Sequence, residues 1–129
     1  MGANIKVVSV NKAFCEDEVS RISRNFFKGK DLDFKYFNSC DHGTYLTGGS
    51  APVHVHEGLE EIFYFIRGTG VVILNGEEIK VKAGSVVAIP PGITHGIRNT
   101  GKDILQNIVC SAIVNKKVKW KPDAPHVRW

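Results

Sequence analysis

Two histidines separated by one residue, His54-Val55-His56, are the first feature of the sequence with clear chemical potential. In an extended strand, residues two apart point to the same face, so both imidazoles project together while Val53 and Val55 point away. Five residues on, Glu61 begins a second β-type segment, with Phe63 and Phe65 on its own face. A loop over residues 57–60 folds that carboxylate back toward the imidazoles. Glu57 and Glu60 stand in the same stretch as competing acids. Nitrogen and carboxylate donors brought together in this way suit a divalent metal. Taken alone, such a pair of histidines is more commonly exposed or internally satisfied than bound to a metal.

The elements that would carry these residues read as many short strands. Gly and Pro punctuate segments of alternating or wholly apolar pattern every ten residues or so, the signature of an all-β sandwich or barrel. Residues 4–10 alternate as a strand. Residues 15–27 place Val19, Ile22 and Phe26 at helical spacing behind Glu16, Asp17 and Glu18, and predict a short N-terminal helix. Strands are expected over 31–37 and 43–46. Pro52 opens the next strand, which runs over 53–56 because proline cannot sit mid-ladder. Further strands follow over 61–66, 71–74, 77–81, 85–89, 94–98 and 104–114. Asn75-Gly76 lies between two of them and is the strongest hairpin signal, since a type I′ turn needs positive φ at both central residues. With so little helix between strands, no parallel βαβ unit fits.

At this point the spacing resembles the cupin superfamily. Its first motif, G-x5-HxH-x3 or x4-E-x6-G, reads Gly48, His54, His56, Glu61 and Gly68. Its second, G-x5-P-x-G-x2-H-x3-N, reads Gly84, Pro90, Gly92, His95 and Asn99, with fifteen residues, 69–83, between the motifs. The resemblance implies a double-stranded β-helix, or jelly-roll barrel, over 32–114. An N-terminal strand and helix arm over 1–31 precedes it and a basic tail over 115–129 follows, in one domain overall. It also implies a third imidazole, His95, entering the interior beside His54 and His56. Glu61 is the acid that fits the x4 and x6 spacing together; Glu60 alternates outward and Glu57 reads as loop surface. Asn99 reads as a hydrogen bonder that fixes a loop. Three imidazoles and a carboxylate converging in a barrel call for a cation, because a buried carboxylate charge is otherwise costly. The implied cofactor is one divalent ion, Fe, Mn, Ni or Zn, bound by His54, His56, Glu61 and His95. Any proton transfer would fall to Glu61 or to bound water.

Members of this superfamily include dioxygenases, isomerases, oxalate-degrading enzymes, lyases, cyclases and simple binding proteins, and fold alone does not choose among them. The expected function is a metal-dependent enzyme on a small oxygen-bearing molecule, with a non-catalytic metal-dependent binding or sensor protein as the alternative. Strand alternation turns Phe63, Phe65 and Ile97 inward, where core packing is their commoner role and a mainly apolar pocket lining the other, with Tyr45 and Gln106 as polar additions. Composition agrees with an ordinary globular domain: hydrophobic residues make up 43% and charged residues 23%. No apolar run approaches the roughly 20 residues of a membrane helix and no signal-peptide pattern opens the chain, so a cytoplasmic location is expected. Three cysteines, Cys15, Cys40 and Cys110, argue against a disulfide framework. The net charge of +4 is concentrated in the tail, around Trp120 and Trp129. No nucleic-acid-binding motif accompanies it, so a solvated tail or an arm on a partner subunit is the reading there. The resemblance implies pairing, common among cupins of this size, and a homodimer is expected.

Overall fold

A computed structural model describes residues 14–18, by backbone, and 21–114. The strands are β1 Phe14–Glu18, β2 Arg21–Lys28, β3 Phe37–Tyr45, β4 Ser50–His54 and β5 Leu59–Arg67. They continue as β6 Thr69–Leu74, β7 Glu77–Lys82, β8 Val86–Ile89, β9 His95–Asn99 and β10 Leu105–Ile113. Every pairing is antiparallel, in a six-stranded sheet ordered β1-β2-β3-β10-β5-β8 and a four-stranded sheet ordered β4-β9-β6-β7. The core draws on both: Phe63, Phe65, Leu105 and Val109 from the larger sheet meet Ala51, Val72, Val81 and Ile97 from the smaller. This is the expected jelly roll. Period-2 alternation is cleanest in β5, where Leu59, Glu61, Phe63 and Phe65 are buried and Glu60, Ile62, Tyr64 and Ile66 are exposed. None of the described helices is long and apolar enough to cross a membrane.

The expected N-terminal helix over 15–27 is corrected: the described part of that stretch forms β1 and β2. Ile22 and Phe26, four residues apart, share a face in a helix and in a strand alike, so their spacing does not discriminate. Ser23, Asn25 and the aromatic pair Phe26-Phe27 are poor helix formers, and the open edge of β3 supplies a ladder from Arg21↔Tyr45 to Lys28↔Ser39. The strand expected over 31–37 is likewise replaced. A short 3-10 turn spans Gly29–Leu32, Asp33 closes it in the left-handed region, and β3 begins only at Phe37. β4 starts before Pro52, which sits inside it. The strand is an edge of its sheet, and its pairing to β9 is interrupted between Ala51 and His54, so no ladder donor is missed there. The 4–10 strand and the Trp-bearing tail lie outside the described residues.

Two turns fix the registers that matter most. Asn75 and Gly76 both take positive φ, 47° and 82°, and join β6 to β7 as the hairpin signal requires. Gly68 lies at φ 87°, and a Cβ there would run into the carbonyl oxygen of Ile104, so glycine is required on two counts. Asn99, 2% exposed, holds the same end of the barrel as Gly68. Its Nδ2 donates to the carbonyls of Tyr45, Leu46 and Asp103 at 3.0, 3.2 and 2.9 Å, and its Oδ1 accepts from the Gly101 N–H at 2.9 Å. Cys40 and Cys110 face each other on adjacent strands as free, half-buried thiols.

Asn99→Ala strips several buried main-chain groups of their partner at once. It should lower stability by about 2–4 kcal/mol, read as a reduced urea midpoint. An unchanged midpoint would contradict the role assigned to this side chain.

Candidate metal centre

His54 ends β4 and pairs in register with His95, the first residue of β9. Each ring is aimed by a main-chain carbonyl two residues earlier. His54 Nδ1 lies 2.8 Å from the Pro52 oxygen and His95 Nδ1 2.9 Å from the Ile93 oxygen. A carbonyl can only accept, so both Nδ1 atoms carry the proton and both Nε2 atoms keep a lone pair. His56 lies past the end of β4, and its carbonyl accepts the Gly92 N–H at 3.0 Å. That bond ties the loop of the first motif to the Pro90-Pro91-Gly92 turn of the second.

The four side chains His54, His56, Glu61 and His95 converge so that one donor atom from each lies within 4.8 Å of the others. Glu61 Oε1 is 3.1 Å from His95 Nε2 and 3.6 Å from His56 Nε2, and the Glu61 side chain is 1% exposed. Neither Glu61 oxygen, nor His56 Nε2, closes a hydrogen bond of acceptable geometry among the described residues. Buried polar atoms are normally satisfied. Lone pairs from three imidazoles facing a carboxylate form a donor set that fits a first-row divalent cation. Burial holds His54 down at about 3, against the rise caused by its Pro52 hydrogen bond and with smaller lowering contributions from His95, His56 and Arg21. His56 is also lowered, again chiefly by burial and despite the nearby Glu61 carboxylate. Both rings are therefore neutral near pH 7, the form in which imidazole can donate to a metal.

Of the remaining residues read from the sequence, Phe63, Phe65 and Ile97 are fully buried, and the Phe63 ring stands edge-on to His95 at 5.8 Å. Tyr45 is 1% exposed and faces inward. Gln106 is not brought to the cluster: it lies on the other face of β10 from Asn107, and its amide donates to Thr44 Oγ1. Glu57 and Glu60 are exposed. The interior is also more polar than the apolar lining expected. Ser39, Asp41, Asn107 and Ser111 are all buried, with Ser39 Oγ 3.0 Å from Ser111 Oγ and Asn25 donating to Asp41. Ser111 sits beside Glu61 in the β10–β5 register. Asn107 and Ser111 share strand parity with Leu105 and Val109, and that alternation was the signal that could have found them. Arg21, 2% exposed and opposite Tyr45, gave no such signal, because its segment read as helix.

Residues 42–109 match the family model described as a cupin domain. The chain belongs to the cupin family. Among similar proteins, the oxalate-binding protein of Thermotoga maritima is 42% identical over 59 residues, covering 46% of this chain and 49% of that protein. An uncharacterized protein of Methanocaldococcus jannaschii is 38% identical over 64 residues, 50% of this chain and 51% of its own length. The matches thus span about half the length of these relatives. Among solved structures, a predicted oxalate decarboxylase from Thermotoga maritima superposes on this cupin with a TM-score of 0.76 at 26% identity, covering 84% of this chain and 99% of that one. KdgF from Halomonas sp. reaches a TM-score of 0.73 at 17% identity, over 88% and 98% of the two chains, a likeness of fold.

The depressed His54 carries a stability consequence. The folded, metal-free protein keeps this ring neutral down to about pH 3, whereas the unfolded chain takes up a proton below its ordinary value of 6.5. Stability of the metal-free protein should therefore fall as pH drops from 6.5 toward 3. Urea midpoints measured across that range test this, and the decline should be smaller in His54→Gln. A midpoint indifferent to pH in the unmutated protein would contradict it.

Proposed function

We propose that this cupin holds one divalent ion, Fe, Mn, Ni or Zn, through His54, His56, His95 and Glu61, and works as a metal-dependent enzyme on a small oxygen-bearing molecule. The observation that carries the reading is the convergence of those four buried donors. When bound, such an ion supplies a Lewis acid with positions left for an oxygen ligand. The chain's own residues do the rest. The Pro52 and Ile93 carbonyls fix which nitrogen of His54 and His95 faces inward. Glu61 contributes negative charge and is the group within the cluster able to accept or return a proton. Phe63, Phe65 and Ile97 exclude water and keep the surroundings of low dielectric, which strengthens every polar contact made there.

A second reading, a metal-dependent binding protein without turnover, is favoured by one observation: a relative 42% identical over its matched residues is named for binding oxalate. Pairing of two chains is part of the proposal. Ile62, Tyr64 and Val86 are exposed side by side on the outer face of the six-stranded sheet, with Tyr64 directly opposite Val86. A contiguous apolar patch of this kind commonly marks an interface.

His54→Ala and His95→Ala should each drop bound metal from near one ion per chain to a small fraction, measured by elemental analysis. Metal at 100 times its dissociation constant should add about 2.7 kcal/mol of stability, lost on chelation. Full metal content in both variants would remove the site assignment. Turnover of a member of a small-acid and sugar panel by Fe- or Mn-loaded protein is expected; binding without turnover by any metal form would favour the second reading. Light scattering should give the mass of two chains, and a single-chain mass would contradict pairing.

A further inference from the structure

Arg21 is a full positive charge with 2% of its surface exposed, carried into the barrel by β2. It pairs in register with Tyr45, which in turn pairs with Leu105 of β10, so the three lie across one inward-facing row. Both Arg21 and Glu61 act electrostatically on the Tyr45 phenol, whose ionisation burial opposes, and the field of Arg21 also reaches His54. The guanidinium and the phenol are both buried on the inward side of the barrel, within electrostatic range of the four-donor cluster. Asn107 completes the group. It is wholly buried and acts on the same phenol, yet neither of its amide atoms closes a well-formed hydrogen bond among the described residues. The space it occupies exists because residue 43 is glycine: a Cβ there would stand 2.5 Å from Asn107 Oδ1 and 3.3 Å from Tyr45 Cε2.

We propose that Arg21, Tyr45 and Asn107 form an anion-recognising wall beside the cluster, and that the molecule this protein takes is a small carboxylate. The inference rests on the metal-site reading above and narrows its substrate class. A guanidinium cannot be neutralised at ordinary pH and presents a planar fork of N–H donors that matches a carboxylate's two oxygens. Charge-assisted hydrogen bonds of that type are about twice as strong as neutral ones, and the apolar residues Phe63, Phe65 and Ile97 nearby raise their worth further. A neutral sugar or diketone offers no charge for Arg21 to meet. Arg21 also lies outside residues 42–109, the part that matches the family model, so this selectivity belongs to the N-terminal arm of the chain.

The test uses the full chain loaded with Mn(II), with oxalate as probe and its neutral diamide, oxamide, as control, read by titration calorimetry. Oxalate should bind and oxamide should bind about a hundred-fold more weakly or worse. Arg21→Met should keep its metal and its cooperative melting but lose about ten-fold or more in oxalate affinity, with Arg21→Lys intermediate. Should Arg21→Met fail to fold, Arg21→Lys and Asn107→Leu carry the test, each expected to weaken oxalate. The proposal is overturned if the folded, metal-loaded variants bind oxalate within about two-fold of the parent, or if oxamide binds as well as oxalate. A parent protein that takes up no metal overturns the metal reading alone. In that case oxalate binding to the metal-free chain, abolished by Arg21→Met, upholds the wall, and its absence overturns it.

Discussion

A carboxylate and three imidazoles occupy one buried space, and among the described residues neither carboxylate oxygen closes a hydrogen bond of acceptable geometry. Taking a charge out of water costs several kcal/mol unless an opposite charge or good hydrogen bonds replace the solvent. Glu61 reaches His95 and His56 only at 3.1 and 3.6 Å, without the geometry of a hydrogen bond, and burial keeps His54 and His56 from protonating to meet it. The arrangement is stable in a folded protein to the extent that the rest of the barrel over-determines it. A divalent cation resolves the conflict directly, since neutral imidazoles and an ionised carboxylate are what it requires.

The barrel imposes this convergence through register rather than through local preference. Because the side-chain period of a strand is two, a one-residue slip of β4 against β9 would turn His54 from the interior to solvent. The interruption at Pro52 lets β4 leave its ladder and rejoin it at His54↔His95. Gly92 then bonds the His56 loop to the turn before His95. Across the interior, the alternation of β5 sets Glu61, Phe63 and Phe65 on one face, so the same pattern that fills the core also aims the carboxylate.

Legibility in the sequence followed from how local each signal was. His54, His56, Glu61 and His95 could be named because the glycines and prolines around them match the spacing of the two cupin motifs; His54 and His95 stand at strand ends, His56 in the loop after β4, and Glu61 near the start of β5. Phe63, Phe65 and Ile97 followed from alternation alone. The Asn75-Gly76 hairpin was equally clear, being a demand on two φ angles. What escaped depended on partners distant in sequence. Ile22 and Phe26 fit a helix and a strand equally well, and only the free edge of β3 decides between them. Arg21 was lost with that segment. Gln106 and Asn107 are neighbours on opposite faces, and choosing the inward one required the register of β10, which a bulge between them shifts against β5. The polar column of Ser39, Asp41, Asn107 and Ser111 has no motif, and its members look like ordinary strand polar residues until β3 and β10 are laid side by side.

Every role assigned to the barrel interior depends on whether an ion sits among those four side chains. An anomalous difference map from a crystal of metal-loaded protein, collected at the absorption edge of the added metal, measures this most directly. One peak per chain is predicted, about 2.0–2.2 Å from the inward nitrogens of His54, His56 and His95 and from a Glu61 oxygen. No peak in the barrel, or a peak held elsewhere with these four side chains apart, would contradict it.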